Sequence, residues 1–504
     1  MTGVSEWPSP AAYPDPEVAD HVTYNPSLDA LREFSAHLET TTEYGSPAYT
    51  STNRSRSANR TATAVDDEFS ENDFGVFETG LDWVSDPDND VICVDRVVGR
   101  HPDSSYVCRL FLPRKYGRIA LSWAKLLEPS EDAKPDFITV QLPDTADEPR
   151  IRVLPDIGLT TVLGSDYTGE AKKSFLRLFM LRAKEQGGLG LHAGSKRVTL
   201  NDADGRREIG QLFLGLSGTG KSTLTSHGLW LDDPEGVEMI QDDVCALLPS
   251  GTVAGSEGGG LYIKTIGLDP DEQPELYTAA TDESAILENV AVDDDGTVHF
   301  DEPRYGRNAR ATIKRDQLTS ASSDIDLDGV DQLFFITRNP LMPPVARLSD
   351  EQAAVAFMLG ESIETSAGDP SRVGESIRVV GTNPFIIGSE GKEGNRFRDL
   401  IEDLDVQCYV INTGSVGTDD PVDISVTTTV TILEGIARDG IDWTRDDVLG
   451  LTVPNDMPGV DIERFSVPDR VEDFGSAQAE LREERLRYLD QFEDLDDDIV
   501  DAIY

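Results

Sequence analysis

The chain has 504 residues, too many for one ordinary hydrophobic core, so two domains, or three at most, are expected. Its 44 Lys and Arg face 94 Asp and Glu, a net charge of −50, and a surface of that sign repels phosphate backbones and anionic membranes. Neither nucleic acid nor membrane is an expected partner.

The acid is spread along the whole chain, densest over residues 490–501, and only eleven of the 44 basic residues are lysine. A diffuse excess of this kind suits a cytoplasmic, halophilic protein, because strong salt screens the repulsion. The cysteines, Cys93, Cys108, Cys245 and Cys408, lack CxxC spacing, so neither a zinc site nor a disulfide framework is expected. No basic-then-apolar leader opens the chain and no run of 18 apolar residues occurs, which predicts a soluble, unexported protein.

Residues 1–24, rich in Pro, Ser, Ala and Asp, read as a flexible leader. Behind Ser27, apolar residues at helical spacing open a short helix, and a polar Ser/Thr/Arg/Gly loop covers residues 41–64. From residue 90 to 163, β-rich runs at 91–94, 106–111 and 137–140 alternate with turn residues, so residues 25–200 are read as an α+β substrate-binding domain. Residues 172–184 carry Phe175, Leu176, Leu178, Phe179 and Leu181, a strongly apolar helix leading into a strand at 189–192. A strand at 211–214 then opens a P-loop mononucleotide-binding domain, residues 201–470, with later strands at 238–240, 332–336 and 408–411. A charged amphipathic helix over 478–492 reads as a solvated cover within an acidic tail, residues 471–504. The fold class expected is α/β, two-lobed, with the active site in the cleft.

Gly215-Leu216-Ser217-Gly218-Thr219-Gly220-Lys221-Ser222 matches G-x-x-x-x-G-K-[ST], directly after a strand and before Thr223 continues into a helix. Its glycines let successive backbone N–H groups converge on phosphate oxygens, so residues 215–223 are predicted to bind a nucleotide. Lys221 neutralises the transferring phosphoryl group, and Ser222 offers its hydroxyl to Mg²⁺. Asp242 and Asp243 follow the strand at 238–240, where a carboxylate pair holds a bridging metal; a solvated Asp-Asp turn is the plain alternative in so acidic a chain.

The phosphate loop followed by Asp242-Asp243 resembles the ATP-type phosphoenolpyruvate carboxykinases. The likeness extends in family order through Thr52-Asn53-Arg54-Ser55, Tyr167-Thr168-Gly169-Glu170-Ala171-Lys172-Lys173, Leu191-His192, Glu257-Gly258-Gly259 with Lys264-Thr265-Ile266, Leu287-Glu288-Asn289-Val290, Pro343-Pro344-Val345 and Asn412-Thr413-Gly414. The resemblance implies ATP as co-substrate and oxaloacetate and phosphoenolpyruvate as small-molecule partners, in a gluconeogenic decarboxylation with phosphoryl transfer. It implies Mn²⁺ on Lys173, His192 and Asp243, and Mg²⁺ on Ser222 and the nucleotide phosphates. A lysine ligates only as the free amine, so its surroundings must favour that form. Lys173, His192, Lys221, Asp242 and Arg310 form the implied catalytic set. Arg54 and Tyr167 would grip the substrate carboxylates together with Lys173 and Arg310, and Lys172 and Lys264 would add charge near the phosphates.

Several positions depart from the family. Val244-Cys245-Ala246 continue an apolar strand where the family has Glu-His-Gly, Gln273 replaces a nucleotide-contacting glutamate, and Asp423 aligns with a nucleotide-contacting arginine, while Thr429 keeps the family's threonine near the base. Base specificity is therefore open, and two other readings stand beside the carboxykinase: a P-loop kinase with another substrate, and a nucleotide-binding regulatory protein without catalysis. Residues 366–382 are a lid candidate by position, and a monomer is expected.

Overall fold

The computed structural model describes residues 9–52, 60–130, 134–202, 205–216, 218–363 and 375–504. Its contacts gather into two compact units, Met1–Arg182 with Ser256–Thr319, and Ala183–Gly255 with Ser320–Tyr504. The units interleave, whereas the sequence places one boundary near residue 200. Strand pairing is the reason: Gly260–Lys264, Arg310–Lys314 and Ile286–Glu288 form one five-stranded sheet with Pro47–Tyr49 and Thr40–Thr41.

The first unit also holds a mixed sheet in which Val22–Tyr24, Val91–Val98, Tyr106–Pro113, Phe137–Leu142, Leu159–Leu163, Arg150–Leu154 and Thr61–Thr63 lie in that spatial order. Helix Glu71–Ser85 lays Val76, Phe77 and Val84 on Ile138, Val140 and Leu159 of this sheet. Residues 9–24, expected as a flexible leader, are built in from residue 9 on. Tyr13 is buried with its ring stacked 5.9 Å from Phe111, and Val22 pairs with Val91, so two apolar side chains anchor the segment.

The second unit is organised by a sheet ordered Gly236–Gln241, Ala193–Asp202, Gly205–Gly215, Gln332–Thr337, Gln407–Asn412, Val345–Leu348, Leu451–Asp456, Asp442–Asp446. Its three central strands are parallel, pairing Gly215 with Ile336 and Thr337 with Asn412, so their C-terminal ends lie side by side. Both faces are covered, and the runs are therefore continuously apolar. Leu212, Leu214, Leu333, Phe335 and Val410 enter one core, while Phe213, Phe334, Ile336, Tyr409 and Ile411 enter the other, as period-two alternation requires.

Two local expectations are corrected here. Val244-Cys245-Ala246 do not continue the strand before Asp242: Gly236–Gln241 ends there, and Cys245–Leu247 pairs with Leu189–Leu191 in a separate three-stranded sheet. The chain must turn between two sheets, and Asp242 and Asp243 make that turn. Nor is the C-terminal helix, Phe474–Leu489, only a solvated cover. Its Arg485 is buried against Glu361 at 2.8 Å, with the guanidinium 4.8 Å from the Tyr504 ring centre, and Leu489, Leu495, Ile499 and Ile503 join the core. Burial alone would raise the Glu361 carboxyl pKa, but Arg485 and Arg378 hold it down at about 2. Removing the shared carboxylate leaves the buried Arg485 guanidinium without its ion pair, while Arg378 keeps Glu484 at 3.2 Å. Glu361→Ala is accordingly expected to cost about 3–5 kcal/mol of unfolding free energy in a urea titration. A loss below about 1 kcal/mol would show that water already reaches the pair.

The four cysteines are buried and free. Among the described residues no helix is long and apolar enough to cross a membrane.

Candidate active site

The phosphate loop leaves the strand at Gly215 and enters the helix Lys221–Ser226. Gly218 and Gly220 have φ of +86° and +98°, the left-handed region that lets neighbouring amides converge. On the adjacent strand a Cβ at Gly194 would stand 2.2 Å from Thr225 Oγ1, so only glycine lets this helix rest directly on the sheet. Ser217 lies outside the described residues.

Pairing of Leu191 with Cys245 brings the residues that follow and precede them together. His192 Nε2 lies 3.0 Å from Asp243 Oδ1, and Nδ1 lies 2.7 Å from the Thr382 carbonyl oxygen. A carbonyl can only accept, so Nδ1 carries a proton. Burial first, and then the charge of Lys221, lower the His192 pKa and favour the neutral ring. A neutral ring protonated at Nδ1 aims the Nε2 lone pair at a carboxylate. Two acceptors then face each other, an arrangement that a proton or a metal cation reconciles. Lys221 Nζ stands 3.9 Å from the same Asp243 oxygen, and Asp242 lies half-buried in the same turn. Thr382 has φ +51°, unusual for a β-branched residue, and its N–H is bonded to Val379; this turn aims the carbonyl. Among the described residues no group of three or more His, Cys, Asp and Glu side chains is gathered for a metal.

Three of the predicted substrate residues, Tyr167, Lys173 and Arg310, sit in the first unit. Helix Thr168–Glu185 carries Lys172 and Lys173, and the Glu288 carboxylate accepts from Thr168 N at 3.2 Å, where negative charge complements the helix dipole. Glu288 also accepts from the Tyr262 hydroxyl at 2.5 Å and pairs with Arg118 at 3.0 Å. Lys172 Nζ is ion-paired to Glu257 at 2.7 Å, both buried, whereas Lys173 Nζ lies 5.5 Å from the Tyr167 ring centre. Lys264 and Arg310 are cross-strand partners, with the Arg310 guanidinium 5.5 Å from the Tyr262 ring centre. Tyr167 and Tyr262, 6.4 Å apart, are thus flanked by cations. Sequence reasoning assigned no role to Tyr262, Glu257, Glu288 or Arg118. Glu257 and Glu288 stood inside the quoted motifs, but nothing local marked them as partners of Lys172 and Arg118.

Other expected residues are placed less tellingly. Arg54 lies outside the described residues, as do positions 366–374 of the lid candidate. Gln273 precedes helix Pro274–Ala280 in the first unit. Thr429 is buried in helix Val426–Ala437 of the second, its hydroxyl donating to the Ser425 carbonyl at 3.3 Å, and Asp423 is exposed.

A strand running into a glycine-bearing phosphate loop and then a helix, with a carboxylate pair at the turn after a nearby strand, places the chain among the P-loop nucleotide-binding proteins of mixed α/β fold. Within that class the sequence model of the phosphoenolpyruvate carboxykinases matches residues 20–463, and the chain belongs to that family. It is 36% identical over 404 residues to the phosphoenolpyruvate carboxykinase (ATP) of Aeropyrum pernix, covering 79% of this chain and 80% of that protein. It is 29% identical over 312 residues to the enzyme of the same name from Bradyrhizobium diazoefficiens, covering 60% of this chain and 55% of the other. Against that of Mesorhizobium japonicum it is 29% identical over 347 residues, covering 65% and 61%.

Proposed function

We infer that the protein is an ATP-dependent phosphoenolpyruvate carboxykinase, converting oxaloacetate and ATP to phosphoenolpyruvate, ADP and CO₂. In a chain of this family, the observation that carries the reading is the half-buried His192–Asp243 pair, two acceptors set face to face beside the phosphate-loop lysine. The donor set, an imidazole nitrogen with its lone pair free and a carboxylate oxygen, fits a divalent cation. Lys173, His192 and Asp243 are the ligands we assign to Mn²⁺, and Ser222 to Mg²⁺; such ions supply positive charge that polarises the substrate oxygen and screens the phosphates.

The chain's own residues then have distinct tasks. Arg310 and Tyr167, with Arg54, orient the oxaloacetate carboxylates, since a guanidinium fork meets a carboxylate at two points. Loss of CO₂ leaves its bonding pair on the substrate as an enolate, whose oxygen attacks the γ-phosphorus of ATP while ADP departs. Lys221 balances charge on the transferring phosphoryl group. The Thr382 carbonyl keeps the His192 proton on Nδ1, so Nε2 stays available. The net charge of −50 supports work in strong salt, in the cytoplasm of a halophile.

The test is phosphoenolpyruvate formation from oxaloacetate in molar KCl with Mn²⁺ and Mg²⁺, supplying ATP, GTP or pyrophosphate in parallel. Formation with ATP is expected. Binding of ATP without any phosphoenolpyruvate from the three donors would transfer the chain to the kinase or regulatory reading.

A further inference from the structure

Three parallel strands end together at one edge of the second unit, and the residues that follow them meet. Behind Gly205–Gly215 comes the phosphate loop, behind Gln332–Thr337 comes Arg338, and behind Gln407–Asn412 comes Thr413. Arg338 Nη1 donates to the Gly218 carbonyl at 3.2 Å, and Thr413 Oγ1 donates to the Thr219 carbonyl at 2.7 Å. Thr413 is itself fixed by its N–H to the Thr337 carbonyl at 2.9 Å. Two successive carbonyls of the loop are thus tied to the neighbouring strand ends. A trans peptide is planar, so a carbonyl held on one side turns the next residue's N–H to the other. The anchors therefore fix the planes of both peptides: the Thr219 N–H meets the Leu216 carbonyl at 3.2 Å, closing the loop, and the direction of the Gly220 N–H is set with it.

Charge singles out Arg338 from Thr413. In this very acidic chain arginines commonly stand against carboxylates; Arg398, for example, pairs with Asp399, Asp496 and Asp498. Arg338 has no carboxylate partner among the described residues, and its guanidinium rests on the loop carbonyl instead. An arginine left unneutralised at that place keeps its positive charge beside amides that converge on anions.

We propose that Arg338 is a positioning residue for the nucleotide's polyphosphate, holding the Gly218 carbonyl outward and leaving a positive charge at the loop. This rests on the reading that the phosphate loop binds ATP. Arg338→Gln is expected to raise the KM for ATP about tenfold, the effect of one charge-assisted hydrogen bond. Much smaller changes are expected in kcat and in the KM for oxaloacetate. Affinity for inorganic tripolyphosphate, measured by calorimetry, is expected to fall by the same factor, because the contact is to the phosphate end and not to the base. Arg338→Lys, which keeps the charge, is expected to recover part of the loss. An ATP KM within twofold of the parent, a parallel fall in kcat and both KM values, or a tripolyphosphate affinity left unchanged would each overturn the proposal. Lys221→Ala, run alongside, separates the two ideas: an intact protein that binds no ATP, or a Lys221→Ala variant that binds it equally well, removes the phosphate-loop reading itself.

Discussion

His192→Gln is expected to lower phosphoenolpyruvate formation from oxaloacetate and ATP by about 10²–10³-fold, the range seen when one preorganised group serving developing charge is lost. ATP affinity, which depends on residues 215–223, is expected to stay near the parent value. Glutamine approximates the ring's size but offers no aromatic nitrogen lone pair toward Asp243 Oδ1, now 3.0 Å away. Asp243→Asn is expected to give a loss of the same order, since an amide oxygen carries no net charge. Both variants should retain the fold, because neither side chain belongs to the apolar cores. The check is a paired measurement of turnover and of ATP binding by calorimetry. Turnover within a factor of about three of the parent for both variants would place the chemistry elsewhere.

Unfolding free energy is expected to rise from pH 7 to pH 10 through one buried amine, Lys196. Its side chain is fully buried, with Nζ donating to the Leu224 carbonyl at 2.8 Å and lying 4.9 Å from the Phe213 ring centre. Among the described residues no carboxylate compensates, and burial pushes its pKa down to about 7. The unfolded lysine titrates near 10.4, so between about 7 and 10.4 the unfolded chain holds a proton that the folded chain lacks, and stability increases with pH across that window. Below pH 7 both states are protonated, and the full cost, about 5 kcal/mol by the same linkage, remains. Lys196→Met is expected to flatten the rise. The comparison is urea unfolding of parent and variant at pH 7, 8, 9 and 10, which cancels the contribution of the buried cysteines and tyrosines common to both. Parallel curves would show that the amine is solvated or paired. The Leu224 contact also ties Lys196 to the helix that begins at Lys221, so loosened ATP binding should accompany the substitution.

What could be read along the chain was whatever nearby residues spell out. The phosphate loop was legible because glycine spacing, an apolar strand before it and Lys221-Ser222 after it fall within a dozen positions. The helix Thr168–Glu185 and the central strands showed themselves through hydrophobic period and composition, with ends shifted by only a few residues. Motif order along the chain then carried the family and, with it, the expectation that His192 and Asp243 share a site. The structure places those two side chains in contact.

Tertiary structure decided the rest, because the deciding contacts join residues that no window contains. The carbonyl that sets the His192 proton belongs to Thr382, 190 positions on, and a backbone acceptor has no residue type to betray it. Glu288 serves a helix end 120 positions away at Thr168, and Arg118 meets it across 170. The interleaving of the two units rests on edge pairing between residues 47–49 and 286–288, where both strands look alike whichever partner they take. The amphipathic helix near the C-terminus was visible as a helix, but whether its charged face meets water or the Glu361 carboxylate depends on a buried ion pair, and charge alone has no direction until the chain has folded around it.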